Sequence, residues 1–204
     1  MEFLNQRIVH VIPSLNRGGA EGTLIKLANS DPDKHLILTI LAPGSLLNKL
    51  NPNVQVYSLH KESIFSYFKI VQHLAHFDPL LIQGWLYYGD LIAVIISIFL
   101  KRPCYWNIRH SDLRWGESSL KSFIVRTLLT PLSWLFVHRI ISCSMKGISI
   151  HHSLGYKNAF FYIPNGYYSD FIPPRHKYGS TVLSLGRNNP QKNRPLFLDI
   201  ISEL

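Results

Sequence analysis

The chain has 204 residues, 47% of them hydrophobic and only 16% charged, so it carries enough apolar material for one good-sized core and is expected to fold as a soluble globule. A formal charge of +9 implies a basic face, which favours phosphate in a nucleotide, in nucleic acid or on an anionic bilayer. The opening "MEFLNQRIVHVIPSL" lacks a basic stretch followed by a sustained apolar one, so no secretory signal is expected, and Cys104 and Cys143, far apart in apolar runs, read as reduced core thiols of a cytosolic protein.

In chain order, "RIVHVIP" reads as a first strand and Ala20 to Asn29 as a helix with Ala20, Leu24, Leu27 and Ala28 on one face. "HLILTIL" and "VQVYSL" read as the next strands. Ser63 then caps a helix whose Ile64, Tyr67, Phe68, Val71, Leu74 and Ala75 form a continuous apolar stripe. The run "PLLIQGWLYYGDLIAVIISIFL" has the length of a membrane span, but Gln83, Gly84, Gly89 and Asp90 interrupt it, and the unbroken apolar part falls well short of the roughly 20 residues a span needs. A strand "PLLIQ", a loop "GWLYYGD" and a buried helix from Leu91 to Leu100 are expected instead. "CYWNIRHS" reads as a strand, Ser118 to Phe136 as a long helix bent or broken at Pro131, and "HRIISCS" as another strand, followed by a short helix to Leu154 and a strand in "AFFYIP". Apolar strands alternating with helices predict an α/β fold, a doubly wound parallel sheet covered on both faces.

Ligands of such sheets sit beyond the carboxyl ends of the strands, most often at the first turn. Here that turn is "SLNRGGAEG", where Gly18 and Gly19 let backbone N–H groups approach a ligand and the helix start offers unpaired donors and a positive dipole end. It reads equally as a tight connection with Glu21 as an ordinary first-turn acid. The dinucleotide pattern Gly-x-Gly-x-x-Gly is absent, which argues against a nicotinamide or flavin enzyme. Downstream, "TVLSLGRNNPQKNRPLFLDIISEL" is again a strand, a turn and a helix start, with Arg187 and Lys192 in the turn: a bidentate and a point cation suited to a diphosphate, or the surface charges of a solvated loop. His110, at the end of the "WNIRH" strand, reads as functional or as a structural histidine bonded to backbone. No His, Asp and Glu cluster has metal-ligand character, since His151 and His152 are adjacent in a helix and point apart, so no metal is expected. Nucleic acid is disfavoured as a partner by the lack of a basic-aromatic ribonucleoprotein pattern, of zinc spacing and of an uninterrupted Lys/Arg cluster.

Taken in order, "RIVHVIPSLNRGGAEGTLIKLA", "IQGWLYYGDLIAVIIS", "WNIRHS", "IPNGYYSDFIPP" and "VLSLGRNNPQKN" resemble the amino-terminal portion of retaining sugar-nucleotide glycosyltransferases of the two-lobed GT-B type, in the branch that builds bacterial surface polysaccharides (capsule, lipopolysaccharide) and lipid-linked oligosaccharides. The resemblance implies a Rossmann-like acceptor-side lobe at residues 1–166, a crossover linker at 167–180, and at 181–204 the first strand and partial helix of an incomplete donor-binding lobe. It implies that Gly18, Gly19, Arg187 and Lys192 face the donor phosphates, that His110 is the cleft histidine beside the reacting sugar, that Asn165 and Gly166 form the crossover turn, and that Trp85, Tyr88 and Arg109 lie on the acceptor side. The family often has a histidine where Gln83 and Gly84 stand here.

A nucleotide-sugar is then the donor substrate, with no cofactor, because Arg187 and Lys192 can neutralise the departing diphosphate. The acceptor implied is a polyprenyl-linked or glycan chain at the inner face of the cell membrane. Arg114, Lys121, Arg126, His138 and Arg139 bracket "FIVRTLLTPLSWLFV", which reads as a face resting on an anionic leaflet with Trp115 and Trp134 at headgroup level, or as a buried core helix with charged ends. Few residues follow Arg187, too few for a second core, so the chain alone is expected to be weakly active or inactive. The alternatives are a truncated chain that folds but does no chemistry and a half-enzyme that docks acceptor and membrane and takes its donor-binding lobe from a separate chain.

Overall fold

A computed structural model describes residues 6–109, 120–157, 159–166, 182, 184 and 193–203. Among the described residues, seven strands form one all-parallel sheet: β1 (Ile8–Ile12), β2 (His35–Thr39), β3 (Gln55–Ser58), β4 (Leu81–Trp85), β5 (Cys104–Ile108), β6 (Val137–Ser142) and β7 (Phe160–Tyr162). Their order is β3-β2-β1-β4-β5-β6-β7. The helices are α1 (Gly19–Ser30), α2 (Ile64–His76), α3 (Leu86–Leu100), α4 (Leu120–Leu135), α5 (Met145–Ser153) and α6 (Arg194–Ser202). The chain divides into two compact units, one of Met1–Asp112 with Leu120–Asn165, holding the sheet and α1 to α5, and one of Leu113–Ser119 with Gly166–Leu204, holding α6.

The direction of winding reverses beside β1, whose Val9 pairs with Leu36 of β2 on one side and with Ile82 of β4 on the other. Side chains alternate across a strand, so each apolar run serves two layers. Ile12, Ile37 and Trp85 pack with Leu15 and with Leu24, Ile25 and Ala28 of α1. Gly84, one residue before Trp85, points the other way, into Asp90 of α3. A side chain as fully buried as Leu24 or Leu74 contributes about 2 kcal/mol each.

Ser63 caps α2 as expected, its side chain accepting from Ser66 N. The loop expected at "GWLYYGD" does not exist. Gly84 and Trp85 complete β4, Leu86 takes a left-handed φ of 63°, and Tyr87 to Asp90 lie in the first turns of α3. The two glycines read as breaks are close approaches: a Cβ on Gly89 would stand 2.4 Å from Val11 O.

Three apolar faces also differ from the expected ones. In α2 the buried line is Ile70 and Leu74, continued by Phe77, while Phe68 is 67% exposed and Tyr67 and Ala75 also face outward. In α1, Ile25 is buried and Leu27 exposed, and in α3, Ile95, Ile98 and Phe99 are exposed. The sheet covers only the side of each helix turned toward it, which propensity and spacing do not reveal. Helix α4 continues through Pro131 without a break. Cys104 is buried, with its thiol pushed up to about 12 by that burial, and Cys143 is half-buried; both are free. The strand expected from Thr181 falls almost wholly outside the described residues.

Candidate functional site

Because the sheet is parallel, the turns after β1, β4 and β5 leave it at the same edge, and β1 and β4 are neighbours with α1 on one face and α3 on the other. That reversal is where a doubly wound sheet opens a crevice for ligands. The turn after β1 is held by its surroundings: Leu46 N donates to Leu15 O at 2.8 Å, Asn16 Nδ2 donates to Ser14 Oγ at 3.0 Å, and Gly44, at φ 99°, lets its backbone lie against Leu15. Gly18 precedes α1 in extended conformation and no side chain caps the helix. The Glu21 carboxylate is folded back over this start, so close that a Cβ on Gly18 would stand 2.1 Å from Oε2. Around Gly19 the space is open. The helix start therefore already holds an anion of its own, where the dipole favours one.

After β4 and β5 the edge is formed by Trp85, Tyr88 and Arg109. Trp85 is 1% exposed and lies in the core, whereas Tyr88 is 40% exposed. The half-buried Arg109 guanidinium lies over the Trp85 ring, 5.0 Å from its centroid, and its Nε donates to Asn107 Oδ1 at 2.8 Å. Its Nη1 donates to Asn165 Oδ1, which ties the end of β5 to the segment after β7. Burial lowers the Arg109 pKa, with Cys143 working against it. Of the sequence-derived site residues, Gly18, Gly19, Trp85, Tyr88 and Arg109 lie at this one edge. His110, Arg187 and Lys192 lie outside the described residues. Among the described residues no group of His, Cys, Asp and Glu is arranged to hold a metal ion.

Two buried polar arrangements lead inward from the edge, and of their members the sequence singles out only Trp85, Gln83 and His151, the last as a residue without metal-ligand character. Tyr87 OH donates to His151 Nε2 at 2.8 Å, and His151 Nδ1 in turn donates to Gly147 O at 2.8 Å. Burial pushes the Tyr87 hydroxyl pKa up. The second is a chain on the α1 side: Trp85 Nε1 donates to His10 Nδ1 at 3.1 Å, and His10 Nε2 lies 2.9 Å from His35 Nδ1. Burial, and then His35, lower the His10 pKa to about 3, while Gln83 works the other way. The signal available was a His and a Gln in the middle of otherwise apolar strands, where a buried polar residue needs a partner.

The fold is a doubly wound, Rossmann-like α/β sheet whose winding reverses between β1 and β4. Among solved structures it is similar to Anabaena Alr3699/HepE in complex with UDP, with a TM-score of 0.65, 19% identity, and coverage of 79% of this chain and 44% of that one. It is likewise similar to the same protein in complex with UDP-glucose, at a TM-score of 0.63, 19% identity and the same coverage. Against the complex with UDP and glucose the TM-score is 0.65 at 20% identity, covering 79% and 45%. The chain spans under half the length of these structures. No protein-family model matches the sequence, and the sequence matches no curated protein.

Proposed function

We propose that the chain is the amino-terminal part of a retaining glycosyltransferase that moves a sugar from a nucleotide-sugar to a lipid-linked or polysaccharide acceptor. One observation carries the reading: the glycine turn after β1 and the Tyr88 and Arg109 positions after β4 and β5 share the edge of the switch point, in a fold also found in a protein bound to UDP and UDP-glucose. In this reading Gly18 and Gly19 present backbone donors to the diphosphate, Arg187 and Lys192 neutralise it as it departs, and His110 lies beside the reacting sugar. Charge separates as the anomeric bond breaks, so cations already in place stabilise the transition state without reorganisation. Tyr88 and Arg109 face the acceptor, with Trp85 acting through the guanidinium stacked on it. The domain reading goes with this: residues 1–166 as the acceptor-side lobe and 181–204 as the start of the donor-binding one.

The acceptor is proposed to be lipid-linked because α4 is apolar on its outer side. Leu128, Trp134 and Leu135 are 53%, 60% and 71% exposed, and His138 and Arg139 follow on the surface, which suits a peripheral position on an anionic leaflet. Arg126, counted among the basic residues of that face in the sequence, is buried instead, where its backbone carbonyl accepts from Tyr156 OH. Among the described residues no helix is long and apolar enough to cross a membrane.

The test is UDP binding and sugar transfer from UDP-glucose by the chain and by its Lys192→Ala and Arg187→Ala variants. Loss of binding with unchanged circular dichroism supports the reading, and binding equal to the parent removes the phosphate role.

A further inference from the structure

The opposite end of the sheet holds a groove of about 600 Å³ at the amino ends of β1, β2 and β3. Its walls carry Arg7, Asp33, His35, Gln55, His73 and His76, backed by Phe77. Arg7 is fixed there twice, by Nη1 donating to Phe77 O at 3.1 Å and by its guanidinium lying 5.5 Å from the Phe77 ring centroid. Its other N–H groups meet no acceptor among the described residues. His73 is held by stacking on Tyr57, with centroids 5.2 Å apart and planes 18° from parallel. Among the described residues Asp33 is the carboxylate that lines the wall; Asp31, which pairs with Lys34, lies close enough to act on His35.

His35 is set as a donor by the histidine chain behind it. The Trp85 indole can only donate, so His10 Nδ1 is bare and the proton of the neutral His10 ring is on Nε2. That proton goes to His35 Nδ1, which is therefore bare too, and the His35 proton sits on Nε2, without a partner among the described residues. Two core hydrogen bonds thus fix the tautomer of a residue that lines the groove.

A guanidinium, a tautomer-locked imidazole, two further imidazoles on α2 and an amide on β3 converge on one concavity whose described lining holds a single carboxylate. We infer that this groove binds a phosphate-bearing small molecule, at the sheet end away from the Gly18 turn. Arg7 grips two phosphate oxygens as a fork, and His35 Nε2–H and the Gln55 amide reach a third oxygen, which a carboxylate does not have.

The experiment is a histidine-ring ¹H–¹⁵N titration with inorganic phosphate and, in a second arm, phenyl phosphate, at constant ionic strength maintained with chloride. Saturable shifts at His35, His73 and His76, weakened about tenfold in Arg7→Gln, are expected, a loss that corresponds to about 1.4 kcal/mol. Because Arg7 also ties the lead into β1 to Phe77, the exposed Gln55→Leu variant is the second probe, with weaker binding and unchanged thermal unfolding expected. Saturation by phenyl phosphate alone supports a monoester ligand, and saturation by both supports recognition of the phosphate group itself. The inference is overturned if neither arm saturates, if chloride gives the same shifts, or if Arg7→Gln and Gln55→Leu both bind like the parent.

Discussion

Gly84 and Asp90 are fitted to each other across the β4–α3 contact: a Cβ on Gly84 would lie 2.5 Å from both the Cα and Oδ1 of Asp90. The fit buries the carboxyl completely, and among the described residues neither of its oxygens has a partner in hydrogen-bond geometry, the Asn107 backbone N–H lying near enough only to offset part of the burial.

That burial raises the Asp90 pKa well above 3.8, so the folded chain holds the acid protonated where the unfolded chain releases the proton. A raised folded-state pKa gives stability that is full below pH 3.8 and declines as pH rises toward the folded value. Asp90→Asn keeps the shape and removes the titration. Urea unfolding from about pH 4 to about pH 8 is expected to show the parent losing stability while the Asn variant stays level and is the more stable at neutral pH. Parallel curves would contradict the assignment.

His10 has the opposite sign. Its pKa is lowered from 6.5 to about 3, so its contribution is intact above pH 6.5 and drains away as pH falls toward 3. His10→Gln should flatten that acid limb and lower stability at pH 7 by on the order of 1–3 kcal/mol, because Trp85 and His35 lose their ring partner. Denaturant midpoints in a pH series measure both effects.

At the start of α1, the Glu21 carboxylate lies over Gly18, in the place proposed for the donor's phosphate. Glu21→Ala is expected to cost the free chain about 0.3–1 kcal/mol of helix stability and to tighten UDP binding by a few-fold, as read by calorimetry. Weaker UDP binding would mean that the carboxylate helps hold the ligand.

On α4, replacing Leu128 and Trp134 with Glu should abolish flotation with anionic liposomes, and raising the salt should weaken the parent's flotation. Flotation unaffected by both changes would assign the exposed side of α4 another role.

The sheet was legible because each strand is an apolar run bounded by polar or Gly/Pro punctuation, and every quoted run from "RIVHVIP" to "AFFYIP" overlaps its strand, although "PLLIQ" stops short of Gly84 and Trp85 and "HRIISCS" begins after Val137. The errors have one physical origin, since long-range packing decides what spacing cannot. Gly84 and Gly89 look like punctuation, yet they serve the approach of α3 to β4 and β1. Phe68 fits a helical stripe, yet no element of the described chain covers it. His10 reads as one polar residue in a strand, and its partners lie 25 and 75 positions away. At the carboxyl edge the first glycine turn was visible in the sequence, but the stacking of Arg109 on Trp85 and the reach to Asn165 join residues that no local pattern connects.

The placement of β1 between β2 and β4 also dictates a timetable. During synthesis the first strand emerges with one flank open, and it stays open until Leu81–Trp85 has left the ribosome, since nothing earlier in the chain fills that slot. Until then a hydrophobic ribbon with unpaired amides is available to any other nascent chain, so yield in the cell should depend on how quickly β4 arrives or on a chaperone that shields β1 meanwhile.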